Sequence, residues 1–209
     1  MVSLQASYRK PFVEMFGSDY TEQGSLLERL TAESMEAIGW KTHETGWSKG
    51  AANSIRDKVE SLARHLGEEC LPGSLEKWAD VHAKDGGLDV VCHQPFPDQW
   101  SGRPLLFVQC ATSSEDWRAK RATPDISTWA KLLDMSTRPT RGISIPFALM
   151  EDDFRRAANC DGLSLILDRH RLCTPKLDLP SNWLSKQLAK ELNEWTKSRL
   201  PALLESKAN

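Results

Sequence analysis

Apolar residues recur every three or four positions in two early stretches and then gather into short continuous runs. That change of period predicts helices first and strands afterwards. Leu27, Leu30, Ser34, Ala37 and Ile38 share one face of a helix expected over about 21–38, with Gly39 as its stop. Ile55, Val59, Leu62 and Leu66 make a clearer stripe, which Ser54 is placed to cap and Gly67 to end. Strands are then expected at 75–83, 88–93 and 105–111, the last two separated by a loop at 95–104. A helix over 124–135 follows, with Pro124 suited to its first turn. Next come a strand at 142–149, a short helix at 151–159 and a strand at 163–172. A closing helix over 181–200 lines up Leu184, Leu188, Leu192 and Trp195. Helix, strands, helix, strand, helix, strand, helix is an α/β order, with a mixed sheet flanked by helices.

Length and composition narrow this picture without naming an activity. At 209 residues, residues 1–209 are read as one domain, its core over about 21–172 and the helix at 181–200 added to it. Apolar content of 40% and charged content of 27% are ordinary for a globular protein. No apolar run reaches the about 18 residues of a membrane span, and residues 1–12 lack an apolar signal core. The expectation is therefore a cytoplasmic protein without a membrane partner. The five cysteines are odd in number and form no CxxC pair, so Cys92 and Cys110 read as reduced core residues. A net charge of −2 gives no global sign of nucleic acid. Locally, Arg118, Lys120, Arg121, Lys131, Arg138 and Arg141 outnumber Asp125 and Asp134, an excess that suits either a phosphate backbone or a solvated face.

The candidate chemistry sits in the hairpin. Gly86-Gly87-Leu88-Asp89-Val90-Val91 leads into Leu105-Leu106-Phe107-Val108-Gln109-Cys110-Ala111. A polar side chain inside such an apolar run is costly to bury without a partner or a task, which singles out Asp89 and Gln109. Taken alone, Asp89 also suits a turn after two glycines, and Glu28 a solvated helix face; it is their joint occurrence that points to a site.

These residues resemble the PD-(D/E)xK phosphodiesterases, the restriction-endonuclease-like fold. Gly24-Ser25-Leu26-Leu27-Glu28 is similar to that family's first-helix pattern of glycine, apolar residue and glutamate. Gly87-Leu88-Asp89-Val90-Val91 resembles its aspartate strand, and Gln109-Cys110-Ala111 stands where (D/E)xK belongs, in a glutamine form. The resemblance spans roughly 24–172. It implies a restriction-endonuclease-like core and a Mg²⁺ (or Mn²⁺) ion held by Asp89, Gln109 and the Cys110 carbonyl, with Glu28 reaching it from the neighbouring helix. Such an ion neutralises charge on the transferring phosphoryl group and activates water, and it prefers oxygen ligands.

One position departs from the pattern: Ala111 stands where the family carries lysine. Lys120, further along towards the next helix, is the candidate to deliver an ammonium into that space, and Lys84 is the weaker one. The catalytic set so implied is Glu28, Asp89, Gln109 and Lys120. The implied function is metal-dependent cleavage of nucleic acid, DNA above RNA, of restriction or anti-phage defence type. A homodimer or a defence-system partner protein would be compatible with it. The alternative is an inactive nuclease-like module that binds nucleic acid or a partner protein. Outside the hairpin, Asp80, His82 and Asp85 are a weak metal candidate. Asp168-Arg169-His170-Arg171 is a phosphate candidate, and Trp100 and Trp117 are candidates for stacking on a base.

Overall fold

The computed structural model describes residues 16, 20–45, 55–71, 73, 76–77, 86–98, 100–114, 117–159, 164–176, 178, 180 and 182–205. Helix α1 (Tyr20–Glu36) closes at Gly39, whose φ of 93° suits a residue without a Cβ. Strand β1 (Lys41–Glu44), helix α2 (Ile55–Leu66) and the short β2 (Glu69–Cys70) follow. Next come β3 (Val90–His93) and β4 (Leu105–Cys110), then the single turns α3 (Trp117–Lys120) and α4 (Ile126–Trp129). The chain continues through β5 (Leu133–Asp134), β6 (Thr140–Ser144), α5 (Glu151–Asn159), β7 (Ser164–Leu167), α6 (Arg169–Cys173) and α7 (Lys186–Glu205).

Five strands form one sheet in the order β1-β3-β4-β6-β7, while β2 and β5 make a separate antiparallel pair. The β1/β3 and β3/β4 pairs are antiparallel, and β4/β6 and β6/β7 are parallel. The expected mixed sheet is therefore present, and the parallel steps are the ones bridged by helices, as parallel strands require. Alternation along β4 divides the core. Leu105 and Phe107 pack with Val59, Leu62 and Leu66 of α2 and with Trp129 of α4, whereas Leu106, Val108 and Cys110 pack with Leu27 and Met35 of α1. Both faces are covered, which is why the strand reads as a continuous apolar run. On α1, Leu26 meets Leu188 and Trp195 of α7; Ser185 donates its N–H and hydroxyl to Glu33, and Arg29 pairs with Glu191.

Several expected elements differ from those observed. The helix expected over 124–135 is only the turn Ile126–Trp129: Asp125 sets its start as N-cap, accepting from the Ser127 N–H at 3.0 Å, and Leu133–Asp134 pair with Glu69–Cys70 as a strand instead of continuing it. The hydrogen bonds of Asp125, led by the one from the Ser127 hydroxyl, hold its carboxyl below its ordinary range. The strand expected at 142–149 runs earlier, over Thr140–Ser144. The strand expected at 163–172 stops at Leu167, because buried Asp168 caps α6 by accepting from the Arg171 N–H and also binds the Leu149 N–H. Asp168 of the phosphate candidate thus serves as a cap, and Arg171 donates to the Ile166 carbonyl at 2.9 Å, while Arg169 and His170 are exposed. The strand expected at 75–83, and with it Asp80, His82, Lys84 and Asp85, lies outside the described residues except at 76–77, which are helical. Trp117 is buried with Ile143 and Ile166 and is a core residue, not a platform for a base. Trp100 is 78% exposed.

Three imidazoles stack between α2 and the edge of the sheet. His43 lies 4.7 Å from His65, and His65 lies 5.0 Å edge-on from His93. Burial first, then His65, Arg103 and Lys41, pull His93 from 6.5 down to about 4. The Arg103 guanidinium also lies 3.4 Å from the His93 Nε2, a contact that suits neutral imidazole. The unfolded chain therefore binds a proton near pH 6.5 that the folded chain refuses until about pH 4. Stability is full above that window and is expected to fall by up to about 3 kcal/mol between pH 6.5 and 4. Urea midpoints across that range would check it, and His93→Phe should flatten the dependence.

Candidate functional site

The hairpin end is shaped by its backbone before any side chain acts. Gly86 and Gly87 take φ of 59° and 69°, a left-handed pair that turns the chain into β3. Thr45, just past β1, braces this entry: its N–H donates to the Asp89 carbonyl at 2.9 Å and its hydroxyl to the Leu88 carbonyl at 2.6 Å. Asp89 thus arrives one residue before the Val90–Val108 pair, next to the end of β4.

Asp89 and Gln109 meet there. The buried Asp89 carboxylate accepts from the Cys110 N–H at 2.6 Å and from the Gln109 side-chain amide at 3.1 Å, both on Oδ2. An ionised acceptor makes these bonds stronger than neutral ones and fixes the carboxylate against the neighbouring strand. The other end of the Gln109 amide is held by Thr123, whose Oγ1 lies 2.6 Å from Gln109 Oε1 and 2.7 Å from the Lys120 carbonyl. Gly87 makes room for this: a Cβ there would fall 2.6 Å from Gln109 Oε1 and 2.8 Å from Thr123 Cβ.

Glu28 approaches from α1. Its side chain is 6% exposed, and its Oε1 folds back to 3.9 Å from where a Cβ on Gly24 would stand. The Cys110 thiol reports on both acids: burial raises its pKa well above the ordinary value, and the charges of Asp89 and Glu28 push it further. Cys110 is therefore a protonated thiol facing α1, not a nucleophile. Below it Thr31 donates to the Leu27 carbonyl at 2.7 Å, and the Thr31 and Ser144 hydroxyls lie 2.6 Å apart. These bonds satisfy the polar groups between helix and sheet.

Of the sequence candidates, Asp89 and Gln109 are in direct contact, and Glu28 acts on the same thiol from the opposite element. Lys120 enters through its main chain: its carbonyl is bound by Thr123, and among the described residues its half-buried side chain has no hydrogen bond or ion pair. Ala111 is fully buried beside Trp117, Ile143 and Ile145, so the position lacking lysine is packed as core. Of the local basic excess, Arg121 binds the Ala157 carbonyl and Arg141 the Ala122 carbonyl, while Arg118 lies 4.9 Å over the Trp117 ring. Much of that excess therefore braces the segment that carries Lys120 and Thr123. Thr123 carries no sequence signal; Ala122-Thr123-Pro124 reads as an ordinary turn.

The oxygens of the candidate set are not gathered on one point: Gln109 turns its amide nitrogen to Asp89 and its oxygen to Thr123, and Glu28 belongs to α1, which packs on the face of β4 that carries Cys110. Among the described residues no three His, Cys, Asp or Glu side chains are gathered in a metal-holding group. No described helix is long and apolar enough to cross a membrane. The chain matches no protein-family model, no curated protein and no solved structure.

Proposed function

We propose that this chain is a metal-dependent phosphodiesterase that cleaves nucleic acid, a DNA endonuclease of restriction or anti-phage defence type. The observation that carries the reading is the hydrogen-bonded pair of Asp89 and Gln109 at the end of an antiparallel hairpin. The element order supports it. A helix bearing Glu28, three neighbouring antiparallel strands (β1, β3 and β4) and a parallel β6 reached through helical turns are compatible with the restriction-endonuclease-like core of this reading.

In this reading Mg²⁺ or Mn²⁺, when bound, supplies charge neutralisation at the phosphoryl group and a more acidic water. Asp89 offers the carboxylate, already oriented by the Cys110 N–H. Gln109, whose oxygen is held by Thr123 here, and the Cys110 carbonyl would add neutral oxygens, and Glu28 would add a second charge through water or directly. Lys120, on a half-buried turn beside Thr123, extends its ammonium towards the phosphate and supports the attacking water.

The buried Ala111 favours a second reading, an inactive nuclease-like module that binds nucleic acid or a partner protein. A substrate survey separates the two. Pure protein is incubated with plasmid, single-stranded DNA and RNA in Mg²⁺, in Mn²⁺ and in chelator. The endonuclease reading expects plasmid nicking in metal alone. Retention of the nucleic acid on the protein without any cleavage would establish the inactive module instead.

A further inference from the structure

We propose that the edge of the sheet beside α2 carries a binding site for a phosphate-type oxyanion, held by Arg103, Lys41 and the imidazoles of His65 and His93. The site stands at the opposite end of β3 from Asp89 and does not depend on the phosphodiesterase reading. Basic side chains converge there from β1, α2, β3 and the loop before β4. Lys41 and His43 come from β1, and Lys41 stands opposite His93 in the β1/β3 register. His65 of α2 lies 4.7 Å from His43 and 5.0 Å from His93. Arg103 arrives from the loop, its guanidinium 3.4 Å from His93 Nε2.

The charge balance at this place is one-sided. The charges acting on His65 are Lys41 and Arg103, and those acting on His93 are His65, Arg103 and Lys41; no carboxylate is among them. Glu68, past the end of α2, accepts from Ser136 and from the Gly102 N–H. Glu44 alternates with His43 to the other side of β1, the side on which Thr42 donates to Glu36. With Arg103 on Nε2, the neutral His93 ring keeps its proton on Nδ1. That nitrogen and His65 Nε2 are buried without a hydrogen-bond partner among the described residues, and His93 is 1% exposed. A buried N–H with no acceptor, set among cations, marks a place short of negative charge. Lys41 is exposed and Arg103, His43 and His65 are half-buried, so the cluster reaches solvent. A tetrahedral oxyanion suits it, because several oxygens can accept from a guanidinium, an ammonium and an imidazole at once, as a single chloride cannot. Once seated, the anion favours the charged form of both rings.

The imidazole resonances of His65 and His93, assigned by single substitutions, test this. Inorganic phosphate, single-stranded oligothymidylate or chloride is added to the whole chain at about pH 6.5, the imidazole range, and at matched ionic strength. Phosphate should move both rings saturably and raise the pH at which His93 takes its proton from about 4 to about 5, the effect of one opposite charge brought near. Chloride should do neither. Oligothymidylate acting at a lower phosphate concentration than inorganic phosphate assigns the site to a nucleic-acid backbone, and the reverse order assigns it to free phosphate; both support the site. Arg103→Gln combined with Lys41→Gln should weaken binding at least about tenfold, the scale of a lost hydrogen bond to a charged group. Unchanged affinity in that variant overturns the assignment, and if it does not fold, the comparison of phosphate with chloride on wild type decides. Rings that respond equally to phosphate and chloride, or to neither phosphate nor oligothymidylate, overturn the site and leave the phosphodiesterase reading standing.

Discussion

Gly87→Ala is expected to destabilise the protein by about 2–4 kcal/mol, adding the cost of a left-handed alanine to that of an overpacked contact. The added Cβ would stand 2.6 Å from Gln109 Oε1 and 2.8 Å from Thr123 Cβ, at a φ of 69°. Neither neighbour yields easily, since Gln109 is tied to Asp89 and Thr123 to the Lys120 carbonyl. Gly39→Ala is the matched control. It has a φ of 93° but no atom within 4 Å of the new Cβ, so only the conformational cost of about 1–2 kcal/mol remains. Urea unfolding of both variants checks the difference, and equal losses would show that the contacts around Gly87 do not matter.

Ala111→Lys has the second large expected effect. Restoring the lysine that the sequence pattern lacks would seem the direct way to raise activity. Ala111, however, has no exposed surface, and Trp117, Ile143, Ile145 and Ile166 close around it. Four methylenes have to enter that cluster before an ammonium reaches the Asp89 side. The expected outcome is a loss of about 2–4 kcal/mol, from overpacking and partial burial of a charge, with no gain in cleavage. A stable variant with faster cleavage would show that the pocket above position 111 is open. It would also end any role for Lys120.

These two variants mark where sequence and structure agree. The hairpin was legible because β3 and β4 are buried on both faces and so appear as unbroken apolar runs, in which Asp89 and Gln109 stand out. Helix α2 was legible because its stripe of Val59, Leu62 and Leu66 is buried in one apolar cluster while the rest of the helix is polar. β1 was not legible: Lys41-Thr42-His43-Glu44 is an edge strand, half-exposed and polar, and its assignment comes from pairing with β3. The segments after Pro124 and Leu167 differ from the apolar pattern because of contacts that the pattern does not carry. At Asp168 a side-chain carboxylate captures backbone N–H groups and ends the strand, and after Ala130 the pairing of Leu133–Asp134 with Glu69–Cys70 ends the helical turn. Within the site the acids could be read from the sequence, but their support could not. Thr123 reaches Gln109 through a tertiary contact across 14 positions, and nothing in Ala122-Thr123-Pro124 announces it.

The central claim is that Asp89 anchors a metal-dependent cut in DNA, and cleavage of supercoiled plasmid by wild type and Asp89→Ala, side by side in Mg²⁺, tests it most directly. The account predicts nicking by wild type that stops in chelator and a rate lower by at least about a hundredfold in Asp89→Ala, the scale of losing a group that acts in the transition state. Equal nicking by the two proteins would contradict it.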